Sequence, residues 1–101
     1  MQAALNNFVA AWNSHDIGRL QGAWAGLSSG QAKDMGNFFK QYSGARVSED
    51  CSASPVSISG DSATWTCVQG IMLSPGSGPQ KHQMHFTFAK RNGNWTVVGQ
   101  Q

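Results

Sequence analysis

The chain has 101 residues, of which 40% are hydrophobic and 12% charged, with a formal charge of +2. That length supports one domain, residues 1–101, with a core that needs no metal to hold it. Lys33, Lys40, Lys81, Lys90, Arg19, Arg46 and Arg91 are scattered rather than striped, and no apolar run nears the ~20 residues of a membrane span, so neither nucleic acid nor direct membrane insertion is expected.

Helical patterning begins directly after Met1, the start expected of a domain excised from a longer protein with no signal peptide in view. Leu5, Phe8, Val9 and Trp12 keep the spacing of one helical face, with Asn6, Asn7 and Asn13 turned outward. Asn13-Ser14-His15-Asp16 breaks that helix, and Asp16 is a good N-cap for a second one carrying Ile17, Leu20 and Trp24. Gly18, Gly22 and Gly26 predict that the second helix is short. Ser28 and Gln31 have the spacing of a capping box, opening a third helix whose face holds Ala32, Met35, Phe38, Phe39 and Tyr42 and which Gly44 should stop.

From Arg46 onward the period falls to two. Val56 and Ile58 belong to a first strand. Gly60-Asp61 is a two-residue hairpin turn, and Ala63, Trp65, Cys67, Gln69, Ile71 and Leu73 form the inward face of a long second strand. Residues 74–79 read as a loop. His82, Met84, Phe86 and Phe88 follow on a third strand, Asn92-Gly93 is a second hairpin turn, and Trp95, Val97 and Gly99 close a four-stranded sheet. These turns pair Ile58 with Ala63 and Phe88 with Val97. If Leu73 meets Gln80, Cys67 faces Phe86 and Trp65 faces Phe88, which gathers the large apolar residues on one face.

Helix, then Ala11-Trp12-Asn13-Ser14-His15-Asp16, a short helix ending near Trp24, a third helix, and a sheet containing Gly60-Asp61-Ser62-Ala63 resembles the nuclear transport factor 2-like superfamily, most closely its SnoaL-like bacterial branch. The resemblance covers nearly the whole chain. It implies an α+β cone of cystatin-like fold: three N-terminal helices packed on a strongly curved antiparallel four-stranded sheet, with an internal pocket. Members include isomerases, dehydratases, cyclases and adaptors, and many dimerise through the outer face of the sheet, so the fold does not choose a function.

Enzymes of that superfamily typically use an inward carboxylate or a His–Asp pair. Here Asp16 caps a helix, Asp61 lies in a turn, Asp34 is on the outside of a helix, and Glu49 and Asp50 stand near the entry to the first strand. None of the five acids is expected to point inward. The remaining catalytic candidates are His82, otherwise a rim residue, and Tyr42, otherwise a core ring. Trp12, Tyr42, Trp65, Gln69, His82 and Met84 are the expected pocket-lining residues. His15 reads as a surface turn residue. His82 and His85 fall on opposite faces of one strand, so no metal site is expected, and no cofactor either.

Cys51 and Cys67 are the only cysteines. Regular pairing sets Cys67 opposite Ser54 and puts the thiols on opposite faces. A one-residue bulge in Ala53-Ser54-Pro55 would bring them together as a disulfide, and without it they are two buried thiols. A bridge would favour a periplasmic or secreted location. The functional expectation is a non-catalytic module that dimerises through the weakly charged outer face (Thr64, Thr66, Val68, Gly70, Met72, Gln83, Thr87, Ala89, Thr96, Val98) or holds a partner or a small apolar ligand. The alternative is an isomerase- or dehydratase-type enzyme using His82 or Tyr42.

Overall fold

The computed structural model describes residues 1–73, 78 and 80–100; the expected loop at 74–79 therefore lies outside the described residues, Gly78 apart. Three helices come first: α1 (Gln2–Ser14), α2 (Ile17–Ala23) and α3 (Ser29–Gln41). Five strands follow: β1 (Arg46–Asp50), β2 (Ser57–Ser59), β3 (Ser62–Met72), β4 (Gln80–Arg91) and β5 (Asn94–Gln100). The sheet is antiparallel in the order β1-β3-β4-β5, with β2 sharing β1's side of β3, so it is four strands wide. The strands curl around the helices, as the α+β cone requires.

The helix boundaries follow local chemistry. Asp16 Oδ1 accepts from the Arg19 amide, and Ser28 and Gln31 make both bonds of a capping box. The third helix stops at Tyr42 rather than Gly44; its capping amide bonds to the Phe38 carbonyl without a left-handed residue. Asn92-Gly93 turns β4 into β5 with both residues at positive φ, the conformation a two-residue hairpin of that type demands.

Leu5, Phe8 and Trp12 of α1, Leu20, Trp24 and Phe39 pack onto Val47, Ala63, Cys67, Phe86, Phe88 and Val97. Phe8, Phe86 and Phe88 are fully buried and contact one another ring to ring, Phe8 edge-on to Phe86 and Phe86 stacked with Phe88. Rings therefore fill the middle of the cone.

The observed registers differ from expectation at three places. β3 and β4 pair Trp65 with Phe86 and Cys67 with Met84, two residues away from the expected pairing. An even shift keeps every side chain on its expected face, which is why the inward set is unchanged. The first strand is broken in two: β2 pairs Ile58 with Ala63, but β1 pairs Asp50 with Val68, a register displaced by three residues. Ile58 consequently sits on a short outlying strand and is 56% exposed rather than packed. At the other side, a bulge between Val97 and Gly99 pairs Gln100, not Gly99, with Phe86.

The sheet is tied to the helices at one point on β1 and one on β5. Asn13, expected outward, turns its carboxamide onto β1, accepting from the Val47 amide at 2.8 Å and donating to the Val47 carbonyl at 3.1 Å. His15 donates from Nε2 to the Ala45 carbonyl at 2.7 Å and stacks on Phe39 at 4.4 Å, so it is a strut between helix and strand rather than a surface turn residue. On the far edge the Ala25 amide donates to the Val97 carbonyl at 2.8 Å. Such ties occupy backbone groups that would otherwise template another strand.

Candidate functional site

Because β1 is three residues out of step with β2, its inward positions are Val47, Glu49 and Cys51. Glu49 faces Gln69 across the ladder, and Gln69 faces His82. One row across three strands thus carries a carboxyl, a carboxamide and an imidazole. This corrects the expectation that no acid points inward: Glu49 does, and the break after Asp50 is the reason.

Gln69 is the centre of the row and only 4% exposed. Its Nε2 donates to Glu49 Oε2 at 2.7 Å and to Gln100 Oε1 at 3.2 Å. Its Oε1 accepts from His82 Nε2 at 3.1 Å. With Glu49 ionised, its Oε2 can only accept, which turns the Gln69 amide nitrogen to it and the amide oxygen to a His82 Nε2–H. Gln100 joins the network because the bulge at Val98 reverses the parity of β5 beyond it. The same reversal takes Gln100 away from the place opposite His85 that a regular register would give it; His85 is exposed and bonds instead to Thr66 at 2.8 Å.

Burial pushes the Glu49 carboxyl up to about 7, partly offset by the Gln69 hydrogen bond. Its other oxygen, Oε1, is buried without a hydrogen-bond partner among the described residues. Glu49 lines two hollows beneath the first turn of α1. One, of about 290 Å³, is also lined by Gln2, Leu5, Cys51, Ser52 and Trp65. The other, of about 330 Å³, lies on the Val47 side and shares Gln2 and Leu5. Asp50, the next residue, is exposed and held below the usual carboxylate range by bonds from Ser52.

The residues expected to line a pocket are spread apart. Trp65 lines the hollow beside Glu49, its indole N–H committed to the Ser54 carbonyl at 2.9 Å. Gln69 and His82 are in the row, His82 exposed at the rim. Trp12 is buried between Phe38 and Phe39, Tyr42 packs on Phe38 with its hydroxyl accepting from Gln41, and Met84 packs half-buried against the core. Of the two catalytic candidates, Tyr42 is not among the residues lining either Glu49 hollow, and His82 reaches Glu49 through Gln69. Among the described residues no cluster of three or more His, Cys, Asp or Glu side chains is placed to hold a metal. Among those residues no helix is long and apolar enough to cross a membrane.

Cys51 and Cys67 occupy the next inward position along the same register and form a disulfide, with Cα atoms 4.1 Å apart. Segment 51–56 inserts three residues, not one. Either odd number gives the parity a bridge needs, and the larger insertion puts Cys51 where regular pairing would put Ser54.

No family model matches the chain, and no curated protein matches it. Solved structures do. A domain provisionally named a calcium/calmodulin-dependent protein kinase type II association domain, from Thiobacillus denitrificans, has a TM-score of 0.76 at 13% identity, over 99% of this chain and 90% of that one. A cystatin-like domain of unknown function from Nostoc punctiforme has a TM-score of 0.74 at 13% identity, over 97% and 70%. A protein provisionally named a dehydratase of the nuclear transport factor 2-like family, from Streptomyces avermitilis, has a TM-score of 0.69 at 17% identity, over 98% and 88%. The chain has the nuclear transport factor 2-like, cystatin-like fold. At these identities the likeness is one of fold alone.

Proposed function

We propose that this domain is a non-catalytic binding and dimerisation module of the SnoaL-like bacterial kind, pairing with a second copy through the outer face of its sheet and holding a small ligand at the mouth of the cone. The observation that carries the non-catalytic reading is the filled interior: Phe8, Phe86 and Phe88 occupy the depth where a substrate would be enclosed. The outer face supports the pairing, because Val68 is 40% exposed at its centre and Thr64 and Thr66 flank it without charge. Asn13 and Ala25 occupy backbone groups on β1 and β5, which favours the face over the edges of those two strands as the surface for a second copy. The disulfide favours an oxidising, extracytoplasmic setting.

Light scattering on the purified domain tests the pairing. A dimer is expected at tens of micromolar, with Val68→Asp giving a folded monomer. A wild-type protein that stays strictly monomeric at high concentration sinks the dimer.

One observation favours a second reading, an isomerase- or dehydratase-type enzyme. A carboxyl poised near 7 in a hollow suits general acid–base work. That enzyme would use Glu49 in place of the His82 or Tyr42 expected from sequence. Turnover of an enolisable carbonyl compound that vanishes in Glu49→Gln and survives Tyr42→Phe would establish it.

A further inference from the structure

We propose that the hollow beneath the first turn of α1 binds a small primary amine carried on an apolar group, with the Glu49 carboxylate receiving the ammonium. This rests on the reading of the cone mouth as a small-ligand site and names the ligand class.

Three features point to a cation rather than an anion or a neutral molecule. First, Glu49 is a built acceptor. Gln69, itself locked by His82 and Gln100, fixes Oε2, while Oε1 is left buried with no donor among the described residues. A desolvated carboxylate with one oxygen lacking a donor is costly to ionise, and an ammonium toward which Oε1 turns supplies both charge and N–H groups. Second, the lining of the hollow offers an anion no cationic side chain. Neither hollow at Glu49 is lined by Lys or Arg, and Asp50 adds a second carboxylate beside the first. Third, the remaining lining suits an amine's body. Leu5 and the Trp65 ring are apolar, the Trp65 N–H is already used, and Gln2 and Ser52 add hydrogen-bonding groups. A volume of about 290 Å³ admits a molecule of modest size only.

Binding should expel a proton. The groups facing Glu49 are Asp50 on its own strand, Gln69 on β3, His82 reached through Gln69 on β4, Gln100 on β5, and Gln2 and Leu5 on α1, a helix with no Asp, Glu, Lys or Arg. The charge of Lys81 reaches Asp50 and helps to lower its carboxyl. None of these supplies a cation bonded to Glu49, so the amine does, and its affinity should rise with pH as the carboxyl ionises.

The test is an NMR titration of the oxidised domain with benzylammonium, benzyl alcohol and benzoate. The expected result is saturable shifts at Glu49, Gln69 and the Trp65 indole with benzylammonium, at least tenfold weaker binding of the alcohol, and none of benzoate. Benzylammonium should bind about tenfold tighter at pH 8 than at pH 5.5, and Glu49→Gln should erase its preference over the alcohol. Calorimetry of the wild type in two buffers of different ionisation enthalpy should show proton release near neutral pH, which keeps the test open if the variant does not fold. Equal binding of alcohol and ammonium overturns the amine assignment and leaves a small-ligand site standing. Binding of none of the three at millimolar concentration overturns both.

Discussion

Glu49 makes the stability of this domain depend on pH in an unusual direction. Most carboxylates are held below their ordinary range in a fold and lose their contribution in acid. Glu49 is pushed from 4.5 up to about 7 by burial, so the folded state prefers it protonated. Its contribution is therefore fully present below about pH 4.5 and is lost as pH rises through 7. Because the carboxyl is only partly enclosed, the full shift overstates the effect, and about 1–2 kcal/mol is expected after solvent screening. Urea denaturation from pH 4.5 to 8 should show that decline in the wild type and a flat profile in Glu49→Gln. Asp50 works the other way, its contribution lost only as pH falls through the low range of its depressed carboxyl, so the two windows do not overlap. Gly26 is a second single-residue control point. A Cβ there would run into the Val98 carbonyl, a backbone atom with nowhere to go. Gly26→Ala should cost about 1–3 kcal/mol in thermal or chemical denaturation. In sequence Gly26 reads only as a residue that weakens a helix; its role comes from a strand more than 70 residues away.

Between elements, the decisive feature is the segment from Cys51 to Val56. Its three-residue insertion changes the parity of β1 relative to β2, aligns Cys51 with Cys67, and brings Glu49 to the inner face in the same stroke. The disulfide closes a loop over a separation of 16 residues, for which a stabilisation of about 3 kcal/mol is expected. Denaturation with and without a dithiol reductant should show that loss, and Cys51→Ser with Cys67→Ser should match the reduced protein. On the opposite side of the sheet the bulge at Val98 acts in the same manner. It presents the Val97 carbonyl to Ala25 and turns Gln100 inward to Gln69. The row Glu49–Gln69–His82 with Gln100 is therefore assembled by two irregularities flanking a regular pair of central strands.

At the scale of the whole molecule, a cone filled with aromatic rings and tied at one point on each of β1 and β5 leaves its outer sheet face free. If two copies meet there, folding and association are coupled, and the melting temperature should rise with protein concentration. A scan over two decades of concentration should show that rise in the wild type and none in Val68→Asp. The sequence by itself determined the three helices, the capping residues, both hairpin turns and the inward faces of β3 and β4, because each follows from local periodicity or from residues a few positions apart. It also carried the fold, since the order of these elements leaves few ways to cover one apolar face. What only the tertiary structure decided was the site. Glu49, Gln100 and the Cys51 alignment depend on how many residues the chain inserts between paired stretches. That number is set by the fit of one strand against another and by a closed core, and the alternation of side chains along either strand does not record it.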